Sequence, residues 1–411
     1  MEKVKLAVIG LGQRGYGLLT AVLLNLPDVE VVGVCDLYED RVEDAAKAVE
    51  EKGFSRPFTT TDYHQILSHS EVQAVVISTA WEYHAEIAIA AMKAGKATAL
   101  EVGGAYAIEE LWEMVRTYEA TKTPFMFMEN CCYDRCELLG TAMERAGLFG
   151  EIVHCAGAYA HDLREEVVSG EKNRHYRLRN YTHRNAENYP THELGPIAKL
   201  LNINRGNRMV SLVSVASKAR GLHDYIVSNP DKVDQKLADV QFSQGDVVHT
   251  IITCANGETI LLKLDTTLPR FYARDFTIRG TKGFYEQNTD TVFIEGVHPD
   301  VFAPTAETLT NMFTNAKTYE DRFLPDCWKH ITKEQLESGH GGMDYFEFRA
   351  FIDALKNGEE MPIDVYDAAA WMAITPLTEA SIREGGHPQS IPDFTCGKWL
   401  VREPKDVIDF K

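Results

Sequence analysis

"VKLAVIGLGQRG", residues 4–15, runs an apolar strand directly into Gly10, Gly12 and Gly15, spaced G-x-G-x-x-G ahead of a helical pattern. The first glycine permits a tight turn and the second lets a pyrophosphate approach the backbone. The third allows helix and strand to pack closely, with the helix N-terminus facing the phosphates. Gln13 and Arg14, between the second and third glycines, join them as candidate cofactor contacts. The next apolar run, "VEVVGVC" (29–35), ends at Asp36, where a carboxylate can hold both ribose hydroxyls. The same charge repels a 2′-phosphate, so NAD is expected rather than NADP.

Working outward, "AVVIS" (74–78), "ATALEV" (97–102) and "PFMFM" (124–128) are apolar enough for strands buried on both faces. Helical segments at 39–52, 82–94 and 107–120 alternate with them. This rhythm predicts a doubly wound parallel sheet, a Rossmann domain over 1–128. The stretch Ser78–His84 follows the fourth strand, so Thr79, Trp81 and His84 are candidates for the nicotinamide half. His84 taken alone fits helix capping equally well. Glu101, ending the fifth strand, completes the candidate cofactor set.

Beyond residue 150 the rhythm changes. "VSLVSVAS" (210–217), "DVVHTIITCA" (246–255), "ETILLKLDTTL" (258–268), "DFTIRGTKGFYEQ" (275–287) and "TVFIEG" (291–296) follow one another as strands. Asn256-Gly257 marks a hairpin turn. The expectation for 129–411 is an α+β domain with an open, mostly antiparallel sheet and C-terminal helices near 344–357 and 364–384. The polar, aromatic-rich stretches 161–188 and 298–340 read as long functional loops.

A chain of 411 residues favours two domains. Its net charge of −19, with no block of Lys and Arg, argues against nucleic acid. "LLTAVLLNL" (18–26) is too short to span a bilayer, and the N-terminus lacks a signal-peptide pattern. Eight cysteines without a Cys-x-x-Cys pair are no disulfide framework in so long a chain. A cytoplasmic protein is expected.

The glycine turn, Asp36, "STAWEYH" (78–84) and "AGKATALEV" (94–102) resemble the glucose–fructose oxidoreductase/inositol dehydrogenase/rhizopine catabolism family. Most of its dehydrogenases carry Glu-Lys-Pro after the fifth strand; this chain has Glu101-Val102-Gly103. "MENCCYDR" (128–135), "GAYAHDLR" (157–164), "YPTHELGPIAKLLNINRGNR" (189–208), "GHGGMDY" (339–345) and "DVYDAAAWMAITPLTEASI" (364–382) are similar to one branch. That branch is the NAD-dependent glycosidases of glycoside hydrolase family 109, whose founding activity is α-N-acetylgalactosaminidase. The resemblance covers nearly the whole chain and departs from the family pattern at Glu193, where glycine is usual, and at Gly103, where proline is.

The resemblance implies a tightly bound NAD that is reduced and reoxidised within each turnover. It also implies catalytic roles for His192, Tyr189 and Tyr159, and substrate contacts from Glu129 and Tyr272. His340, set among glycines that permit close backbone approach, is a further candidate substrate contact. Singly, these residues have ordinary structural readings: Tyr159 and Tyr272 as core tyrosines, His192 as a helix-start residue. His154, His161, His175, His183 and His192 do not form a zinc spacing, so no metal is expected. Two other functions stay open: a net NAD-dependent sugar or cyclitol dehydrogenase, which the absent lysine disfavours, and a non-catalytic sugar or NAD sensor. A homo-oligomer, dimer or tetramer, is expected from the open sheet of the wider family.

Overall fold

The computed structural model describes residues 3–299, 302 and 305–410. The chain divides into two compact units, residues 1–133 with 331–373, and residues 134–330 with 374–411.

In the first unit, six parallel strands lie side by side among the described residues. They are β1 (Val4–Ile9), β2 (Val29–Cys35), β3 (Phe58–Thr60), β4 (Ala74–Ile77), β5 (Ala97–Glu101) and β6 (Phe125–Met128), in the order β3-β2-β1-β4-β5-β6. The near-continuous burial of β1, β4, β5 and β6 is what a parallel sheet covered on both faces demands. The short strand β3 lies outside the expected set; its "FTT" carries no apolar run to announce it. The strand order reverses beside β1, placing the ends of β1 and β4 next to each other at the position where such sheets bind ligands.

Residues 331–373 return to this unit, although the sequence pattern groups them with the C-terminal half. The helix Val365–Met372 is buried along its whole length. Trp371 meets Phe127 edge-on, the Phe127 amide donates to the Ile363 carbonyl at 3.0 Å, and the Tyr366 hydroxyl donates to Glu119 at 2.7 Å. The single helix expected over 364–384 is two, Val365–Met372 and Ile374–Arg383. Pro376 has no N–H and is tolerated only in the first turn of a helix, so a new helix starts just before it.

The second unit is built on eight strands: β7 (Ile152–Ala160), β8 (Met209–Ala216), β9 (Val247–Cys254), β10 (Thr259–Asp265), β11 (Thr277–Gly280), β12 (Gly283–Glu286), β13 (Thr291–Ile294) and β14 (Gln389–Ser390). Their order is β13-β12-β11-β7-β10-β9-β8-β14, and every pair is antiparallel except β7 with β10. Strict alternation in β9 puts Val248, Thr250, Ile252 and Cys254 inside and His249, Ile251 and Thr253 outside. The run 275–287 folds as two strands, β11 and β12, because Thr281 and Lys282 turn the chain.

Two expectations change here. The central strand β7, "IVHCAGAYA", stands outside the expected strands; its glycine and alanines obscure any alternation. Glycine is required at 157 because the helix Thr191–Leu200 lies on β7, and a Cβ there would come 2.8 Å from that of Glu193. The stretch 161–188 is not one loop but three short helices, Arg164–Val168, Gly170–Asn173 and Arg177–His183. Segments this short show no amphipathic period, and tertiary packing stabilises them. The stretch 298–340 likewise carries four short helices between Ala306 and Glu337, although residues 300, 301, 303 and 304 lie outside the described set.

Candidate active site

In the first unit, the glycine turn has the shape that a dinucleotide needs. Gly10 has φ +95°, and a Cβ on it would lie 2.4 Å from the Ser78 carbonyl oxygen. A Cβ on Gly15 would lie 1.9 Å from the Gly10 carbonyl oxygen. Gly12 begins the helix Gln13–Ala21 with an extended backbone, and a Cβ there would meet only an Arg41 nitrogen at 3.7 Å. The first and third glycines are therefore demanded by packing. The second faces a groove of about 470 Å³ lined by Gly12, Gln13, Tyr16, Arg41, Asp44 and Lys47. Asp36 accepts from the amides of Leu11 at 2.7 Å and Tyr38 at 3.1 Å, with Arg41 at 3.6 Å. These bonds fix the carboxylate and leave lone pairs for further donors.

His84 is buried, and its Nε2 lies 3.0 Å from the Thr79 carbonyl oxygen. Burial pushes its pKa down to about 4, so the ring is neutral and anchors the 79–84 loop. Trp81 is buried against Gly103, where a Cβ would come 2.3 Å from the indole. That contact is the reason residue 103 is glycine.

Arg14 bridges two carboxylates, donating to Glu101 at 2.9 and 3.2 Å and to Asp344 at 2.6 and 3.1 Å. Asp344 also accepts from Asn130 at 2.7 Å and lies 2.9 Å from His340 Nδ1. Burial alone would raise the Asp344 pKa, but Arg14 and His340 outweigh it and hold it well below the usual carboxylate range. Glu347, fully buried nearby, is pushed far the other way by burial and then by Glu101 and Asp344. Gly339, His340, Gly341 and Gly342 all have positive φ, a run that only glycine-rich sequence sustains. Its glycines thus deliver His340 to Arg14 and Asp344. Glu129 is fully buried and accepts from the Cys131 amide at 3.1 Å.

The second unit gathers Tyr159, Tyr189, His192 and Tyr272 into one row of rings. Tyr159 lies 4.6 Å from Tyr189 and 5.5 Å from His192, and Tyr189 meets His192 edge-on at 4.7 Å. His161 continues the row, 5.9 Å from Tyr159 and 5.2 Å from Tyr272, both edge-on. Tyr159 sits near the end of β7; an isolated bridge between Ala160 and Ala273 brings the 272–274 segment alongside.

The turn carrying Tyr189 is held from two sides. Gln244 exchanges hydrogen bonds with both backbone groups of Ala186, at 3.0 and 3.2 Å, and accepts from Asn188. The Glu187 amide donates to Thr378 Oγ1 at 3.0 Å, and its carbonyl accepts from Thr375 Oγ1 at 2.7 Å. Burial pushes the Glu187 carboxyl up to about 8 against the opposing amides of Tyr189 and Leu264.

A raised carboxyl pKa costs stability as pH rises. Unfolded Glu187 releases its proton near 4.5 and the folded one near 8, so between those values the unfolded state binds fewer protons. Glu187→Gln should therefore flatten the loss of stability between pH 5 and 8, a gain on the order of a few kcal/mol at pH 8. Denaturant unfolding at both pH values measures this; parallel curves for both proteins would show that burial does not neutralise Glu187.

Three charged or titratable residues in this unit escape sequence reading. Arg177 is buried with its guanidinium 5.1 Å from the Tyr189 ring centroid and its Nε 2.7 Å from Glu166. Arg274 donates to Glu137 at 2.7 Å, to Asp134 at 2.5 Å and to the Tyr272 oxygen at 3.2 Å. His161 is the third. Arg177 lies in a stretch that reads as a loop, so no spacing marks it. His161 and Arg274 stand two residues from Tyr159 and Tyr272, and that neighbourhood was the available signal.

Residues 4–128 match the oxidoreductase family with an NAD-binding Rossmann fold, and residues 133–401 match the C-terminal domain of glycosyl hydrolase 109. A glycosyl hydrolase family 109 protein of Stenotrophomonas maltophilia is 39% identical over 100% of this chain and 93% of its own. An alpha-N-acetylgalactosaminidase of Tannerella forsythia is 35% identical over 98% and 88%. Among solved structures, levoglucosan dehydrogenase in complex with NADH and levoglucosan has a TM-score of 0.69 at 19% identity, covering 95% of this chain and 100% of its own. The myo-inositol 2-dehydrogenase of Lactobacillus plantarum has a TM-score of 0.64 at 17% identity, with the same coverage. The two structures share the fold. Among the described residues no helix is long and apolar enough to cross a membrane. The chain belongs to glycosyl hydrolase family 109, glycoside hydrolases built on an NAD-binding oxidoreductase fold.

Proposed function

We propose that this protein cleaves α-N-acetylgalactosaminides or related glycosides without net redox change, by transient oxidation at carbon 3, elimination, water addition and re-reduction. The observation that carries the reading is the row of Tyr159, Tyr189 and His192 in ring contact, with the Arg177 cation over Tyr189. The glycine turn and Asp36 would hold NAD, which would supply a reversible hydride acceptor for carbon 3 and would have to stay bound through the turnover.

His192, with Tyr189 beside it, takes the proton of the carbon 3 hydroxyl. A ketone at carbon 3 makes the carbon 2 proton acidic, because the resulting carbanion is delocalised as an enolate. Tyr159 takes that proton, and its loss expels the aglycone from carbon 1. Glu129 and Tyr272 orient the sugar. A tyrosine needs a positive or hydrogen-bonding neighbour to act as a base. Arg177 and His161 are such neighbours in this unit.

The test is incubation of the purified protein with a chromogenic α-N-acetylgalactosaminide in deuterated water, with no added cofactor. Aglycone release with deuterium at carbon 2 is the expected outcome. Accumulation of NADH without aglycone would instead mark a net dehydrogenase. A sugar-dependent melting shift without either product would mark a binding module.

A further inference from the structure

We propose that His161 is the proton partner of Tyr159: a positioning residue that accepts the phenol proton at Nδ1 while Tyr159 accepts the proton from sugar carbon 2. This rests on the glycosidase reading above and adds to it a residue that the resemblance leaves unassigned. Tyr159 and His161 are two residues apart at the end of β7, so their side chains leave the strand on the same side. The Tyr159 hydroxyl lies 3.4 Å from His161 Nδ1, and the rings meet at 87°. That separation is at the long end for a hydrogen bond, and catalytic contacts of this kind shorten when substrate binds.

His161 is held where it is needed. Its amide donates to the Asp265 carbonyl at 3.0 Å, continuing the β7–β10 pairing one residue beyond the strand, and its ring abuts Tyr272 at 90°. The charged and titratable groups acting on it are Glu166, Arg177, Asp162 and His192, besides Tyr159 and Tyr272. Burial lowers its pKa most, Arg177 and His192 lower it further, and Glu166 and Asp162 oppose them. The imidazole is therefore neutral at neutral pH, with a lone pair to offer.

The step balances. The carbon 2–hydrogen bond breaks and its electron pair enters the enolate. The proton joins the Tyr159 oxygen as the phenol's own proton passes to Nδ1. Enolate and imidazolium then carry opposite charges until the aglycone departs with the electron pair of its bond to carbon 1. Water then adds its hydroxyl to carbon 1 and its proton goes to the aglycone oxygen, while the Nδ1 proton, exchanged with solvent, returns through Tyr159 to carbon 2.

Two measurements decide it. Ring-nitrogen chemical shifts of ¹⁵N-histidine protein report the pairing without any substrate. The His161 Nδ1 resonance should carry a hydrogen-bond shift in the wild type and lose it in Tyr159→Phe. An unchanged resonance overturns the proposal. The second is His161→Asn mixed with N-acetylgalactosamine in deuterated water. Deuterium entry at carbon 2 should fall roughly 10²–10⁴-fold while sugar-dependent absorbance of reduced cofactor persists. Tyr159→Phe combined with His161→Asn should be no slower than Tyr159→Phe alone. Wild-type exchange in His161→Asn, or losses that multiply in the double variant, overturns it. If wild-type protein shows no reaction with any sugar, the glycosidase reading falls and the nitrogen shifts alone decide the pairing.

Discussion

His192→Asn should lower aglycone release by roughly 10²–10⁴-fold, the range for losing one positioned acid–base group, while the protein stays folded and keeps its dinucleotide. His192 is only partly buried, in the first turn of the helix Thr191–Leu200. Its ring meets Tyr189 at 81° and Tyr159 at 70°, so its orientation is set by neighbours that survive the substitution. Asparagine keeps a polar side chain there and removes the imidazole. The melting temperature and the dinucleotide released on denaturation should match the wild type, which separates a chemical loss from a structural one. A decrease below tenfold in steady-state release would remove His192 from the proposed proton path.

Gly15→Ala should be still more damaging, through a different cause. The added methyl would sit 1.9 Å from the Gly10 carbonyl oxygen, a backbone atom that cannot rotate away. Gly10 cannot yield either, because Ser78 closes on it from the end of β4. The turn must open, and a penalty above about 4 kcal/mol is the scale for a core clash of this kind. Retained dinucleotide should fall to background. Gly17→Ala, two residues along the same helix, meets nothing within 4 Å. There the exchange should stabilise by roughly 0.5–1 kcal/mol, since glycine is a poor helix former. Denaturant midpoints of the two variants should therefore move in opposite directions. Wild-type midpoint and occupancy in Gly15→Ala would mean that the turn is looser than its contacts indicate.

The first sheet, β3 apart, was readable because its signals are local. A strand buried on both faces shows as an unbroken apolar run, and the glycines declare a turn whatever lies far away in sequence. The antiparallel strands of the second unit were readable from their alternation, except β7 and the two-residue β14. In β7 the packing of Glu193 on Gly157 replaced the pattern with small residues.

The short helices between residues 164 and 183 could not be read, since fewer than two turns leave no periodicity. Arg177 went unseen with them. His340 shows the same limit from another side. "GHGGMDY" announces a special backbone, but the contact of His340 with Arg14 lies across more than 320 residues of sequence.

By itself, then, the sequence determined the β-α alternation, the dinucleotide turn, the alternating second sheet and the tyrosines and histidine with a place in the family pattern. These follow from periodicity, glycine stereochemistry and motif, all expressed within a few residues. Only the tertiary structure decided that 331–373 packs with the first unit, that His161 joins the row of rings, and that Arg177 lies over Tyr189. Those facts depend on burial and charge pairing between distant segments, and nothing in a local window encodes which distant side chain will neutralise a buried charge.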